Sequence, residues 1–296
     1  MTKPRLREGL TAYIFLGPSL IFFAIFFVFS IGFSVWVSFK KWDMLTPVLS
    51  AKWVGISNYI NVLSDSTFRS SLLNTLIYAI ASLIITLILS LLAAVALNNM
   101  KGSAVWRFIY FAPAITPAVA IGMIWGYLYR PNQGIVNEIL GYLGIPPINW
   151  LTDPKYILAA IIIAAIWENI GLFVIIYTAG LKAIPQSYYD AATIDGASKI
   201  RTFFSITIPL LKPTTLFLSV TGMINALQIF DLVYILGANA PQSSDEVMSI
   251  YVYQQAFQNF SMGTASAASM IFFVLVLAIT LLIIWMLGKG GMEGYE

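Results

Sequence analysis

The chain has 296 residues, 59% of them apolar and only 10% charged, whereas a soluble domain has roughly 45–50% apolar and about 25% charged residues. It contains no cysteine and no histidine, which excludes thiol nucleophiles, disulfides, histidine general bases and the usual zinc and haem ligands. The net charge of +3 is too mild to argue for a nucleic-acid partner and mostly reports loop topology.

The apolar excess falls in long charge-free runs, as in a polytopic membrane protein. A spanning helix needs about 20 apolar residues, and six segments supply them. The first runs from about Thr11 to Val37, through Gly17-Pro18, which membrane helices tolerate. Lys3, Arg5 and Arg7 precede it as in a signal peptide. However, the stretch Leu10 to Phe39 is charge-free for 30 residues, longer than a signal core, so the reading is a retained span. The second runs from about Leu72 to Leu97. The third, from about Phe108 to Tyr129, is expected to kink at Pro113 and Pro117. The fourth runs from about Tyr156 to Gly180, the fifth from about Thr214 to Leu236 and the sixth from about Ala265 to Leu287.

Lysine and arginine counts set the orientation. With a cytoplasmic N-terminus, the inner segments hold Lys3, Arg5, Arg7, Lys101, Arg107, Lys182, Lys199, Arg201, Lys212 and Lys289. The outer ones hold Lys40, Lys41, Lys52, Arg69, Arg130 and Lys155. The bias is modest, and it puts both termini and the loop between spans four and five in the cytoplasm. Trp42, Trp53, Tyr59 and Trp150 flank spans and suit an interfacial belt, or alternatively a docking surface for an external partner. Asp245 to Asn259 opens with acids, as a helix N-terminus prefers, and is expected to lie along the outer interface.

The loop 183–209 sits between two strongly apolar segments and carries two acids, two bases, a glycine and two flanking prolines. Pro185 is placed as the first residue of a short helix, where its missing N–H costs nothing. Gln186 to Ile194 continue it, and Asp195-Gly196 end it, glycine being free to take positive φ. A second short helix from about Ser198 to Thr207 is expected to stop before Pro209. Ala191 and Ala192 are small enough for another backbone to approach, and Asp190 can pair with a partner's arginine. The plain alternative is an amphipathic loop that only caps the membrane domain.

This loop resembles the EAA loop of ATP-binding-cassette (ABC) importer permeases: Glu-Ala-Ala, three residues, Gly, nine residues, Ile, one residue, Leu-Pro. Here Asp190-Ala191-Ala192 is followed by Gly196, and then by Ile206, Thr207, Ile208 and Pro209. Asp190 replaces glutamate and Ile208 replaces leucine. Leu181 to Ala197, Val54 to Tyr59, Asn149 to Pro154, Phe230 to Tyr234 and Phe257 to Ala267 are similar to the carbohydrate-importer branch, in particular to the maltose-type and glycerol-phosphate-type first permease. One departure is Asn239-Ala240-Pro241, where relatives often have Gly-Gly-Pro.

The resemblance implies an all-α polytopic membrane protein in which residues 1–296 form a single permease domain. Six transmembrane helices would carry a cytoplasmic coupling helix hairpin between spans four and five. It implies ATPase coupling through Asp190, Ala191, Ala192, Asp195 and Gly196. Its partners would be a second homologous permease, two ATPase subunits, an extracytoplasmic solute-binding protein and the lipid bilayer, with no nucleic acid. The location would be a bacterial-type plasma (inner) membrane. The chain has no Gly-x-x-x-x-Gly-Lys-[Ser/Thr] phosphate loop. It would bind no cofactor and no metal, ATP and Mg being used by the partner ATPase, and it would be a non-catalytic subunit, not an enzyme.

Charged groups at mid-bilayer cost roughly 2.5–3.5 kcal/mol on insertion scales, so they face protein or water. Glu168 and Asn169 lie in span four. Asn225, Gln228 and Asp231 recur every three residues in span five, drifting by about 60° per step along one broad helix face. These five are the substrate-path candidates; the alternative is polar glue between helices. By resemblance, sugar contacts of the maltose-type relative fall at Asn169, around Gly222 and from Asn225 to Ile229, with Asp231 further along. No lysine or arginine lies inside a span, which favours a neutral sugar, oligosaccharide, polyol or glycoside moved by alternating access. Two alternatives are a glycerol-phosphate-type substrate and an ion-coupled secondary transporter using Glu168 and Asp231. An intramembrane enzyme built on that acidic pair is a third class, with nothing else to support it.

Overall fold

The structure is a computed structural model and describes residues 15–98, 100, 103–239 and 246–288. The start of span one at Thr11, the flanking Lys3, Arg5, Arg7, Lys101 and Lys289, the Ala240-Pro241 departure and the acid at Asp245 lie outside them. The described chain falls into two compact units, residues 1–65 with 252–273, and residues 66–251 with 274–296.

In the first unit, helix α1 (Phe15–Ser38) is apolar on nearly every side and almost wholly exposed within the chain, as a lipid-facing span must be. It ends in a small antiparallel pair, β1 (Lys40–Lys41) with β2 (Lys52–Trp53), in register Lys40 to Trp53. Helix α2 (Ser57–Ser64) follows. The buried Asn58 amide donates to the carbonyls of Ser38 (2.7 Å) and Lys40 (2.9 Å), tying helix end to strand. Phe39 stacks on Trp53, so that tryptophan packs on the hairpin. In the intervening loop, the Thr46 hydroxyl and the backbone N–H groups of Thr46 and Leu45 hold the Asp43 carboxyl below the usual aspartate range.

The second unit is built around α3 (Ser66–Asn98) and α7 (Ile157–Ala183), which pack along each other. α3 buries Ser71, Thr75, Ser82, Thr86, Ser90 and Ala94 and exposes Ile77, Ile80, Ile84, Ile88 and Leu92. That is inverted relative to a soluble helix. Lipid is as apolar as isoleucine, so association relies on close packing of small residues. α7 answers with Ala160, Ala164, Ala165 and Gly171. Four hydroxyls on this face bond back along the helix, Ser71 to the Thr67 carbonyl, Thr75 to that of Ser71, Ser82 to that of Tyr78 and Ser90 to that of Leu87, so these enter the interface already satisfied.

The expected kink in span three is a sharp break. α4 (Ser103–Phe111) runs into a 3₁₀ turn at Ala112–Ile115, and α5 (Ala118–Leu128) leaves at 108° to it. Thr116 is extended (ψ 135°) because Pro117 disfavours helix before it. Among the described residues, counting this pair as one broken span gives six helices long and apolar enough to cross a membrane, otherwise five. Beyond it, α6 (Ile135–Tyr142) presents buried Asn137, which accepts from the Trp150 indole at 3.0 Å and donates to the Ile148 carbonyl at 3.0 Å. Trp150 thus sits in a cluster with Tyr129 and Tyr156.

Three expectations need correction. Span five is broken: α10 (Lys212–Leu227) and α11 (Asp231–Leu236) flank a non-helical Gln228–Phe230, with Phe230 at φ −136°, ψ −61°. The segment expected along the outer interface forms α12 (Met248–Tyr253) instead, with Val247 and Met248 wholly buried. The Met248 N–H donates to Thr75 (2.9 Å), and Asn74 donates to the Glu246 carbonyl (3.1 Å). These anchors hold the segment inward. The third correction concerns the hairpin between α7 and α10, described below. The last helix is α13 (Met262–Gly288).

Candidate functional site

Residues 186–211 form the hairpin, and its first half is closed by local rules. Pro185 is the N-cap (φ −57°, ψ 134°), one position earlier than expected, and α8 covers Gln186–Ile194. Its end is a Schellman motif. The Ala197 N–H donates to the Ala192 carbonyl (2.9 Å), and the Gly196 N–H to that of Thr193 (3.1 Å). Gly196 takes φ +69°, the left-handed region that favours glycine. The Ser198 side chain then accepts from the Arg201 N–H and starts α9 (Lys199–Thr202).

The second half does not stop before Pro209. It widens into a π turn at Phe203–Thr207 and continues helical through Ile208–Leu210. The wider turn accommodates the ring and the missing donor of Pro209, which a regular helix would not. Asp190, Ala191, Asp195 and Gly196 are exposed, and Asp190 accepts from the Gln186 amide at 3.2 Å. Ala192 does not share the open face. It is buried against its own chain, so Ala191 alone offers the small surface expected of the pair. Tyr188, Ile194, Ile200 and Phe204 are exposed beside it.

The polar residues of α7 and α10–α11 converge on a cavity of about 370 Å³, lined also by α3. All five candidates line it: Glu168 and Asn169, half-buried on α7, and Asn225, Gln228 and Asp231, exposed on the broken span. The helix break is what allows this. Gln228, Ile229, Phe230, Asp231 and Leu232 are consecutive and all line the cavity, whereas five consecutive residues of a helix turn through roughly 400° and cannot share a face. The single broad face expected from the spacing is therefore not how Asp231 arrives.

Sequence reasoning missed the third wall. Tyr78, Ser82 and Thr86 on α3 line the same space. Their steps of four, with a hydroxyl at each, were the readable signal. Gly222 also lines it: a Cβ there would be 2.7 Å from the end of the Leu83 side chain and 2.8 Å from the Phe173 ring, so any larger residue must displace them. Among the described residues lining the cavity, none is lysine or arginine. Its chemistry is that of amides, carboxylates, hydroxyls and aromatic rings, which accept and donate hydrogen bonds and stack but hold no fixed cation. Among the described residues, no group of three aspartates or glutamates comes together to hold a metal.

The family described as "Binding-protein-dependent transport system inner membrane component" matches residues 86–287. The chain is 34% identical over 281 residues to the trehalose/maltose transport system permease protein MalF of Thermococcus litoralis, covering 95% of this chain and 94% of that protein. It is 33% identical over 273 residues to the sn-glycerol-3-phosphate transport system permease protein UgpA of Agrobacterium fabrum, covering 90% and 91%. In fold it matches a chain of a bacterial ABC transporter that imports the acidic polysaccharide alginate, with a TM-score of 0.83 at 23% identity, over 97% of this chain and 98% of that one. A helical membrane chain with a polar cavity, matched along nearly its whole length in this way, belongs to the binding-protein-dependent inner membrane component family and is a non-catalytic permease subunit of an ABC importer.

Proposed function

We propose that this permease forms part of the path for a neutral, hydroxyl-rich solute: a sugar, oligosaccharide, polyol or glycoside. The observation that carries this is the cavity itself. It gathers Glu168, Asn169, Asn225, Gln228 and Asp231 with the hydroxyls of α3, and among the described residues no lysine or arginine lines it. Carboxylates and amides match sugar hydroxyls, whereas a phosphate or carboxylate solute calls for a guanidinium or an ammonium and is repelled by carboxylates such as Glu168 and Asp231. A glycerol-phosphate-type substrate is the second reading. It is favoured by the similarity to the Agrobacterium fabrum permease and would require the cation to come from a partner subunit.

The complete importer in this reading has a second homologous permease, two ATPase subunits that use ATP and Mg, and an extracytoplasmic binding protein. Both termini and the hairpin face the cytoplasm. Asp190, Ala191, Asp195 and Gly196 present the coupling surface to an ATPase subunit, and the buried Ala192 lets α8 seat against its own chain. ATP-driven closure of the ATPase pair moves the hairpin as a rigid lever. α7 and α10 then reorient, and the cavity opens outward to the loaded binding protein.

The test is ATPase activity of the reconstituted importer with its binding protein, screened against neutral sugars and polyols and against their phosphate esters. Stimulation by neutral solutes is expected. Stimulation by phosphate esters alone would reverse the substrate assignment. The lever has its own check: Gly196→Pro complexes should assemble yet lose solute-stimulated ATPase, and normal turnover would rule it out.

A further inference from the structure

The break in the cavity wall has a specific holder. When a helix is interrupted, carbonyls before the gap lose their partners one turn ahead and need others, since hydrocarbon supplies none. The Ile229 carbonyl is in this position: in an uninterrupted helix it would accept from the Val233 N–H. Instead it accepts a hydrogen bond from the half-buried Ser249 hydroxyl on α12.

Ser249 is itself held firmly. Its neighbours Val247 and Met248 are wholly buried. The Met248 N–H donates to Thr75 on α3 at 2.9 Å, Asn74 donates to the Glu246 carbonyl at 3.1 Å, and Tyr251 packs edge-on against Phe68 at 5.6 Å. Residues 246–251 are thus pinned to α3 on both sides of Ser249, whose side chain reaches the helix break.

We infer that Ser249 is a positioning residue for transport: its hydroxyl competes with the Val233 N–H for the Ile229 carbonyl and keeps the break open. The consequence falls on Asp231. Six helical steps from Asn225 turn through roughly 600°, so a re-closed helix would carry Asp231 about 120° away from Asn225. With the break held, both line the cavity. Asn225 lies before the break and is indifferent to it. This role is independent of which solute is carried.

The native chain has no cysteine, so a single introduced thiol reports cleanly. In the full importer in lipid nanodiscs, an Asp231→Cys probe and, separately, an Asn225→Cys probe are labelled with a charged maleimide, read on this chain after gel separation. Adding Ser249→Ala should slow labelling of the Asp231→Cys probe by about tenfold, the scale of one buried hydrogen bond, and leave the Asn225→Cys probe unchanged. Ser249→Thr, which keeps the hydroxyl, should restore labelling. Ser249→Val, of nearly the same shape, should not. Equal labelling with Ser249→Ala, like behaviour of the threonine and valine variants, or a joint slowing of both probes would overturn the inference. So would failure of the alanine, threonine and valine variants alike to assemble, since packing and not the hydroxyl would then be the requirement.

Discussion

The hairpin and the cavity wall are both interruptions of apolar helix, but they are closed by bonds of different reach. In the hairpin the closing bonds are nearly all local: Ala197 to Ala192, Gly196 to Thr193, and Arg201 to Ser198. A longer link joins Tyr189 and Thr207, at 3.3 Å. In the cavity wall the decisive bonds join distant chain segments, Ser249 to Ile229, Met248 to Thr75 and Asn74 to Glu246. A locally closed element keeps its shape when displaced, as a lever must. A wall held by long-range bonds changes shape when its neighbours move, as an alternating cavity must.

This contrast can be broken most severely at Gly222. Gly222→Leu places a side chain where even a Cβ meets Leu83 and Phe173. Overpacking of this kind costs about 1–3 kcal/mol, and because the affected space is the cavity, transport by the reconstituted importer should fall roughly 100-fold. Retention of normal transport would show that solute does not use this cavity.

Gly196→Pro should come next. Proline fixes φ near −65° where the chain takes +69°, so solute-stimulated ATPase should drop by roughly tenfold or more while assembly is kept. Gly196→Ala is a graded version, with open space around its Cβ and only about 1–2 kcal/mol of backbone cost. It should lose correspondingly less activity.

The two regions should then separate kinetically. Gln228→Ala should raise the solute concentration for half-maximal ATPase stimulation by about tenfold with the maximal rate kept, as loss of one ligand hydrogen bond does. Asp190→Ala should do the reverse, lowering the maximal rate at unchanged half-saturation. Parallel effects from both would collapse the distinction between cavity and lever. The smallest effect is expected at Ser198→Ala. Loss of this N-cap costs about 1 kcal/mol and should lower the melting temperature by only about 2 °C, with transport near normal.

The same difference in reach explains what was legible beforehand. The turn at Asp195-Gly196 was readable because a Schellman end needs only a residue tolerant of positive φ at the right place. The sharp break at Thr116-Pro117 was readable for a similar reason, since proline acts on the residue directly before it. Pro209 misled because its usual effect was absorbed by the π turn at Phe203–Thr207, which has no one-residue signature. Ala192 misled because a small residue suits a partner's backbone and its own chain's equally well. Glu168, Asn169, Asn225 and Gln228 were found from the cost of polar groups in hydrocarbon, and that cost is a property of the residue type. The spacing puts Asp231 on a helical face it does not occupy, because the break at Gln228–Phe230 carries no proline or glycine to mark it. Tyr78, Ser82 and Thr86 raise no alarm in the sequence because uncharged hydroxyls are cheap in a membrane, and Ser82 bonds back to its own helix.

By itself, the sequence determined that this chain crosses a membrane, roughly where it does so, and that a polar hairpin lies between two apolar helices. These follow from residue-by-residue transfer free energies and from turn chemistry, both of which act over a few positions. Tertiary structure alone decided that α3, α5, α7, α10 and α11 share one cavity, that the fifth span is broken, and that α12 is drawn inward to Thr75 and Ile229. The reason is that an interrupted helix in hydrocarbon must find its hydrogen-bond partners elsewhere in the fold, and which segment supplies them depends on packing between residues far apart in the chain.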